Sequence, residues 1–163
     1  MNYSTIFFGI FLSTAMLFAG GNTAPILSEI AEVPNKICKE NKIYIEEDAG
    51  LMWQDQAYTD AEDGAYKRNH SLGKAGSWGH ATNYCRSLKY AGHMDWRLPT
   101  SDELIHMHRH EGQLFVYFRD GEFWTSTPST DRRYYTIFPA DAYPYKRKMN
   151  ASHYIRCVRC TKQ

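Results

Sequence analysis

The sequence predicts an α+β domain in which two helices pack on small antiparallel sheets and disulfides hold the whole together. Three observations predict it. Strand-like alternation occurs early (Lys42 to Glu46, Leu51 to Gln54) and late (Phe123 to Ser126, Tyr134 to Phe138, His153 to Arg159). Two capped helical patterns lie between these stretches. Four cysteines, an even number, follow an apolar leader. Strands, then helices, then strands is the order of a fold that segregates helices from an antiparallel sheet.

The leader comes first. Ile6 to Ala19 is an uncharged run, too short to span a bilayer comfortably, and Ala19-Gly20-Gly21 supplies small residues for cleavage. Residues 1–20 therefore read as a secretory signal, 21–36 as a linker and 37–163 as the domain. No stable membrane insertion is expected once the leader is cleaved. In the domain, KIYIE (42–46) alternates, 47–50 is a turn and LMWQ (51–54) closes a hairpin. The polar stretch 55–76 reads as a long surface loop. Ser77 is an N-cap, and Trp78, Ala81, Tyr84, Cys85 and Leu88 form one apolar helix face, with Gly92 as a stop. Thr100-Ser101-Asp102-Glu103 fits a capping box that opens a second helix. Leu104, Met107 and His108 line its inner face and Gly112 ends it. Residues 141–150 read as a loop before a final strand, 153–159.

Export places Cys38, Cys85, Cys157 and Cys160 in an oxidising compartment, where they read as two disulfides. In a strand, residues three apart face opposite ways about 10 Å apart, whereas a disulfide needs Cα atoms within about 7 Å. Cys157 and Cys160 are therefore not expected to bond each other, and two pairings remain open. We favour Cys85–Cys157 with Cys38–Cys160, the second tying the domain's entry to its exit. The CxxC spacing then reads as structural rather than redox-active.

Net charge near +1 (19 Lys+Arg, 18 Asp+Glu) gives no whole-chain field for nucleic acid, and none is expected as a partner. Charge is uneven, however. Residues 46–63 hold seven acids and no Lys or Arg, while 131–163 hold eight bases and two acids. Arg132, Arg133, Lys146, Arg147 and Lys148 are interleaved with Tyr134, Tyr135 and Tyr145. Guanidinium and ammonium bind sulfate or carboxylate, and rings stack on sugar faces, so this stretch is the candidate surface for an anionic polysaccharide. The alternative for the same stretch is an ordinary solvated loop.

A specific string runs through the chain: Gly50-Leu51-Met52-Trp53-Gln54-Asp55, then Tyr84-Cys85, then Ala91-Gly92-His93-Met94-Asp95-Trp96-Arg97-Leu98-Pro99-Thr100 with Glu103, then Phe123-Trp124-Thr125-Ser126-Thr127, and last Tyr154-Ile155-Arg156-Cys157-Val158-Arg159. It resembles the bacterial Lcl C-terminal domain family, typified by the C-terminal domain of the Legionella collagen-like adhesin. The resemblance implies a C-type-lectin-like fold and a disulfide from the first helix to the last strand, which supports Cys85–Cys157. It also implies an exported or surface domain, with sulfated polysaccharide as the ligand of the adhesin member. The carboxyl and amide loops through which such lectins hold calcium are missing, so calcium-dependent sugar binding is not expected.

Within the family block, Arg97 beside Trp96 reads as a buried ion pair to Asp95 or Glu103 that locks the two helices to the sheet, with a ligand-binding role as the alternative. Trp124 is part of the same structural motif. His106 and His110 lie one helical turn apart. They read, with His108, as a solvated helix end, because no third metal ligand is evident. No cofactor, no metal and no catalytic residue are expected. The expected function is an exported, calcium-independent binding or adhesion domain, periplasmic or at the cell surface. The alternatives are a structural subunit partnered by envelope proteins, or an oxidoreductase using CxxC.

Overall fold

A computed structural model describes residues 42–110 and 112–162. The expected signal, the linker and Cys38 lie outside them. The described residues form three helices, two sheets and one disulfide. Strands β1 (Ile43–Glu46), β2 (Leu51–Gln54) and β8 (Val158–Cys160) make an antiparallel sheet with β2 at its centre. Trp53 lies opposite Tyr44 on one side and Val158 on the other. The second sheet runs β3-β7-β4-β5-β6, comprising β3 (Ala75–Gly76), β4 (Phe123–Thr130), β5 (Arg133–Phe138), β6 (Tyr143–Lys148) and β7 (His153–Tyr154). All its pairings are antiparallel except the short β4–β7 contact at Phe123 and Tyr154.

The alternation of β2 sorts its side chains between two cores. Leu51 and Trp53 join Leu104, Met107, Phe115, Phe123 and Ile137 in one. Met52 joins Ala81, Cys85, Trp96, Trp124 and Ile155 in the other. Both faces of a central strand are thus covered, and all four of its residues are buried.

The two expected helices form where their caps place them. Helix α2 (Trp78–Ser87) has Ser77 accepting from the His80 amide and buries Ala81 and Cys85. It stops short of Gly92, which lies in the turn that Tyr90 and His93 close beyond it. Helix α3 (Ser101–Arg109) carries the complete Thr100–Glu103 capping box and buries Leu104 and Met107. Among the described residues no helix is long and apolar enough to cross a membrane.

Three expectations are corrected. The stretch 55–76 is not a bare loop: it holds helix α1 (Asp60–Lys67) and strand β3. Helix α1 is short and strongly charged, and of its apolar residues only Ala65 is buried. A Thr59–Glu62 capping box supports it, and Glu62 also accepts from the Lys74 ammonium at 2.9 Å in a buried ion pair. The stretch 141–150 contains strand β6, paired with β5 over six positions. Its sequence lacks apolar alternation because its inward face is polar. Finally, 153–159 is not one strand. Residues 153–154 belong to one sheet and 158–160 to the other, with Ile155–Cys157 crossing between them.

Candidate functional site

The β5–β6 hairpin carries the basic, tyrosine-rich stretch, and strand register decides what each residue does. Directly paired residues share a face. Arg133 lies opposite Lys148 and Tyr135 opposite Lys146, so these four share one face. Arg132 sits in the adjoining two-residue turn with a left-handed φ of 57°. Arg132, Arg133, Lys146 and Lys148 are exposed, and among the described residues none of them makes an ion pair. Like charges placed directly opposite destabilise a ladder, and Arg133 against Lys148 is such a pair. A shallow depression beside them is lined by Asp131, Arg132, Arg133, Lys148, Met149 and Asn150.

The remaining candidates occupy the opposite face and are structural. Arg147 pairs with Glu122, its Nε donating to Oε2 at 2.8 Å. Tyr145 lies under the Arg147 guanidinium, and its hydroxyl donates to Asp141 at 2.7 Å. Tyr134 stacks on Trp78, ring centroids 3.7 Å apart. Two further bases of the C-terminal stretch are buried: Arg156 is 2% and Arg159 7% exposed. The positive surface is therefore smaller than the sequence count implies and is confined to one hairpin face.

In the family block Arg97 pairs with Glu103, but the pair is not buried as expected: the side chains are 41% and 21% exposed. Arg97 forks onto Glu103 at 2.7 and 2.8 Å, and the same carboxylate accepts from the Thr100 amide. Burial pushes the Glu103 carboxyl up, but Arg97 and Thr100 outweigh it and hold it below its ordinary range. Asp95 is not the partner of Arg97. Its carboxylate accepts from Arg159 Nε at 2.7 Å, a bond that holds Asp95 below its ordinary range. Trp96 and Trp124 are buried, with their indole N–H groups donating to backbone carbonyls, that of Gly76 in the case of Trp124.

Cys85 and Cys157 form the disulfide, with Cα atoms 5.5 Å apart and both residues fully buried. Among the described residues Cys160 is exposed and has no disulfide partner; the expected Cys38–Cys160 bridge involves Cys38, which lies outside them. Cys157 faces α2 while Cys160 ends β8.

Sequence reading missed two clusters. The first is the buried pair of Arg156 with Asp55, at 3.3 Å. Arg156 also donates to the carbonyls of Gln54 and Tyr117 and lies 3.6 Å over the Phe115 ring. Asp55 accepts the amides of Val116 and Tyr117. An arginine between Ile155 and Cys157, in the middle of a buried stretch, was the available signal. The second cluster is Glu46 beside His106 and His110. His108 lines the inner face of its helix as expected, turning toward Phe115 and Phe123.

His108 and His153 give the domain an acid-sensitive side. Burial pushes His108 down to about 4, and the nearby Arg156 charge acts in the same direction. Burial likewise pushes His153 to about 4, against the pull of Glu122. Unfolded, both groups take up protons near pH 6.5; folded, only near 4. Between these values the unfolded chain binds more protons, so stability is complete above about pH 6.5 and falls as pH drops toward 4. The loss is on the order of 3 kcal/mol for each of the two histidines. In urea titrations at several pH values, His108→Met is expected to flatten this slope. An unchanged slope would count against the assignment.

These features define a disulfide-linked α+β domain built on a Tyr-Cys helix, an Asp-Trp-Arg-Leu-Pro lock and a Trp-Thr-Ser strand. The Lcl C-terminal domain family matches residues 42–159, and the chain belongs to that family. No individually curated protein shows significant similarity to the chain.

Proposed function

We propose that this chain is an exported, non-catalytic binding domain of C-type-lectin-like architecture. Its β5–β6 face would hold an anionic, sulfated polysaccharide without calcium. The observation that carries this reading is the cluster of Arg133, Lys146 and Lys148 around Tyr135 on one exposed face, with Arg132 at its end. Guanidinium forks onto a sulfate, ammonium adds charge, and the tyrosine ring offers a surface for a sugar. The like-charge pairing costs the sheet stability, and an anionic ligand would offset that cost.

Export is supported by the apolar leader and by the disulfide, a bond that persists in oxidising compartments. Calcium independence is supported by the Phe123–Thr125 strand. Its three residues are buried, and they leave no cluster of oxygen ligands there. Engagement of Cys157 with Cys85 supports a platform role over CxxC redox chemistry.

The test is retention on immobilised heparin, eluted with salt. The native domain is expected to bind and to elute at a defined ionic strength. Replacing Arg132, Arg133, Lys146 and Lys148 by Ala is expected to abolish retention at physiological salt while the melting temperature holds. Arg147 stays in place because it anchors Glu122. Equal retention of the quadruple variant would overturn the proposal.

A further inference from the structure

We propose that Glu46, His106 and His110 form a binding site for a late first-row transition-metal dication such as Zn(II), separate from the basic hairpin face. Glu46 closes β1 with a side chain only 3% exposed. The Trp53 indole N–H donates to its Oε2 at 2.9 Å, which orients the carboxylate. Its Oε1 faces His106 Nδ1 at 2.6 Å and His110 Nε2 at 3.6 Å. The three potential ligand atoms all lie within 4.8 Å of one another.

A buried carboxylate needs a compensating positive charge. Among the described residues no Lys or Arg makes an ion pair with Glu46, whose ionic partners are two imidazoles. An imidazole balances a carboxylate only when protonated. Deprotonated, it offers a lone pair, and two such lone pairs with a carboxylate oxygen form a metal donor set. This set of two nitrogens and one oxygen suits zinc, cobalt, nickel or copper rather than calcium or magnesium, which prefer oxygen alone. The two histidines are one turn apart at the end of α3, where the helix dipole favours a cation. The indole bond to the unused carboxylate oxygen is the kind of outer support that metal ligands carry.

Tetrahedral zinc, with bonds of about 2.0–2.1 Å, sets its ligand atoms about 3.3 Å apart. The two distances to Glu46 Oε1 fall on either side of that value and all three atoms lie within 4.8 Å of one another, so seating an ion requires shifts of the imidazole rings. Side-chain exposures of 57% for His106 and 39% for His110 leave room for them. The same openness leaves a fourth position for water or a small anion, as in three-ligand open sites.

The test uses the full chain, stripped with a chelator and titrated with Zn(II) by calorimetry, and with Co(II) by visible absorption. One ion per chain is expected, with a cobalt spectrum of low coordination number and a melting temperature that rises with Zn(II). His106→Gln and His110→Gln, both at exposed positions, are each expected to weaken binding at least tenfold and together at least a hundredfold. Circular dichroism would check that their folds match. Cys160→Ser is expected to bind as the native chain does. Absence of binding by the native chain, equal binding by the double histidine variant, or loss on Cys160→Ser alone would each overturn the proposal.

Discussion

Asp55→Ala is expected to destabilise the domain by about 3–5 kcal/mol, the cost of leaving one member of a buried ion pair without its partner. Asp55 performs two tasks at once. It balances Arg156, which is 2% exposed, and it accepts the amides of Val116 and Tyr117. Removing it strands a guanidinium in the protein interior and frees the segment that seats Phe115 against Trp53. Arg156→Met is expected to cost less, because an apolar side chain beside Phe115 and Phe123 recovers part of the burial. Urea denaturation of both variants measures the difference. A loss below about 1 kcal/mol for Asp55→Ala would show that the buried pair contributes no more than a surface ion pair.

Opening the disulfide is the second large effect. Cys85 and Cys157 are 72 residues apart. Loop-closure entropy for a cross-link of that span gives roughly 4 kcal/mol of stabilisation, acting mainly through the unfolded chain. The Cys85→Ala/Cys157→Ala variant is expected to lose about that much, and reduction of the native protein should shift its denaturation midpoint by a similar amount. Both sulfurs lie in the core shared by Ala81, Trp96 and Trp124, so small losses of packing add to the entropic effect. Native and reduced forms that unfold at the same denaturant concentration would contradict this.

Local signals carried much of the fold. Ser77 and the Thr100–Glu103 box start their helices because capping is a contact over three residues, visible in the sequence itself. The β1–β2 hairpin is legible for a similar reason, since alternation and a turn suffice. What was hidden depends on distant partners. Helix α1 is the exception: its Thr59–Glu62 capping box is a local signal that sequence reading missed, and the ion pair to Lys74 twelve residues ahead adds to it. Strand β6 is masked because Arg147 faces inward onto Glu122, twenty-five residues earlier, and polar inward residues break the pattern on which strand recognition rests.

The basic stretch shows the same division. Composition identifies the bases, but only register separates Arg133, Lys146 and Lys148 from Arg147. The histidine pair lacked a visible third ligand because that ligand, Glu46, precedes His106 by sixty residues.

The disulfide has a mechanical consequence as well as a thermodynamic one. The hairpin at 133–148 lies wholly inside the covalent ring that Cys85 and Cys157 close. A pull between residues 42 and 162 runs along the chain to Cys85, across the sulfur bridge, and out through Cys157. Residues 86–156 are bypassed. Tension applied between the two flanks of the domain would therefore leave the hairpin unloaded until the bridge itself gives way.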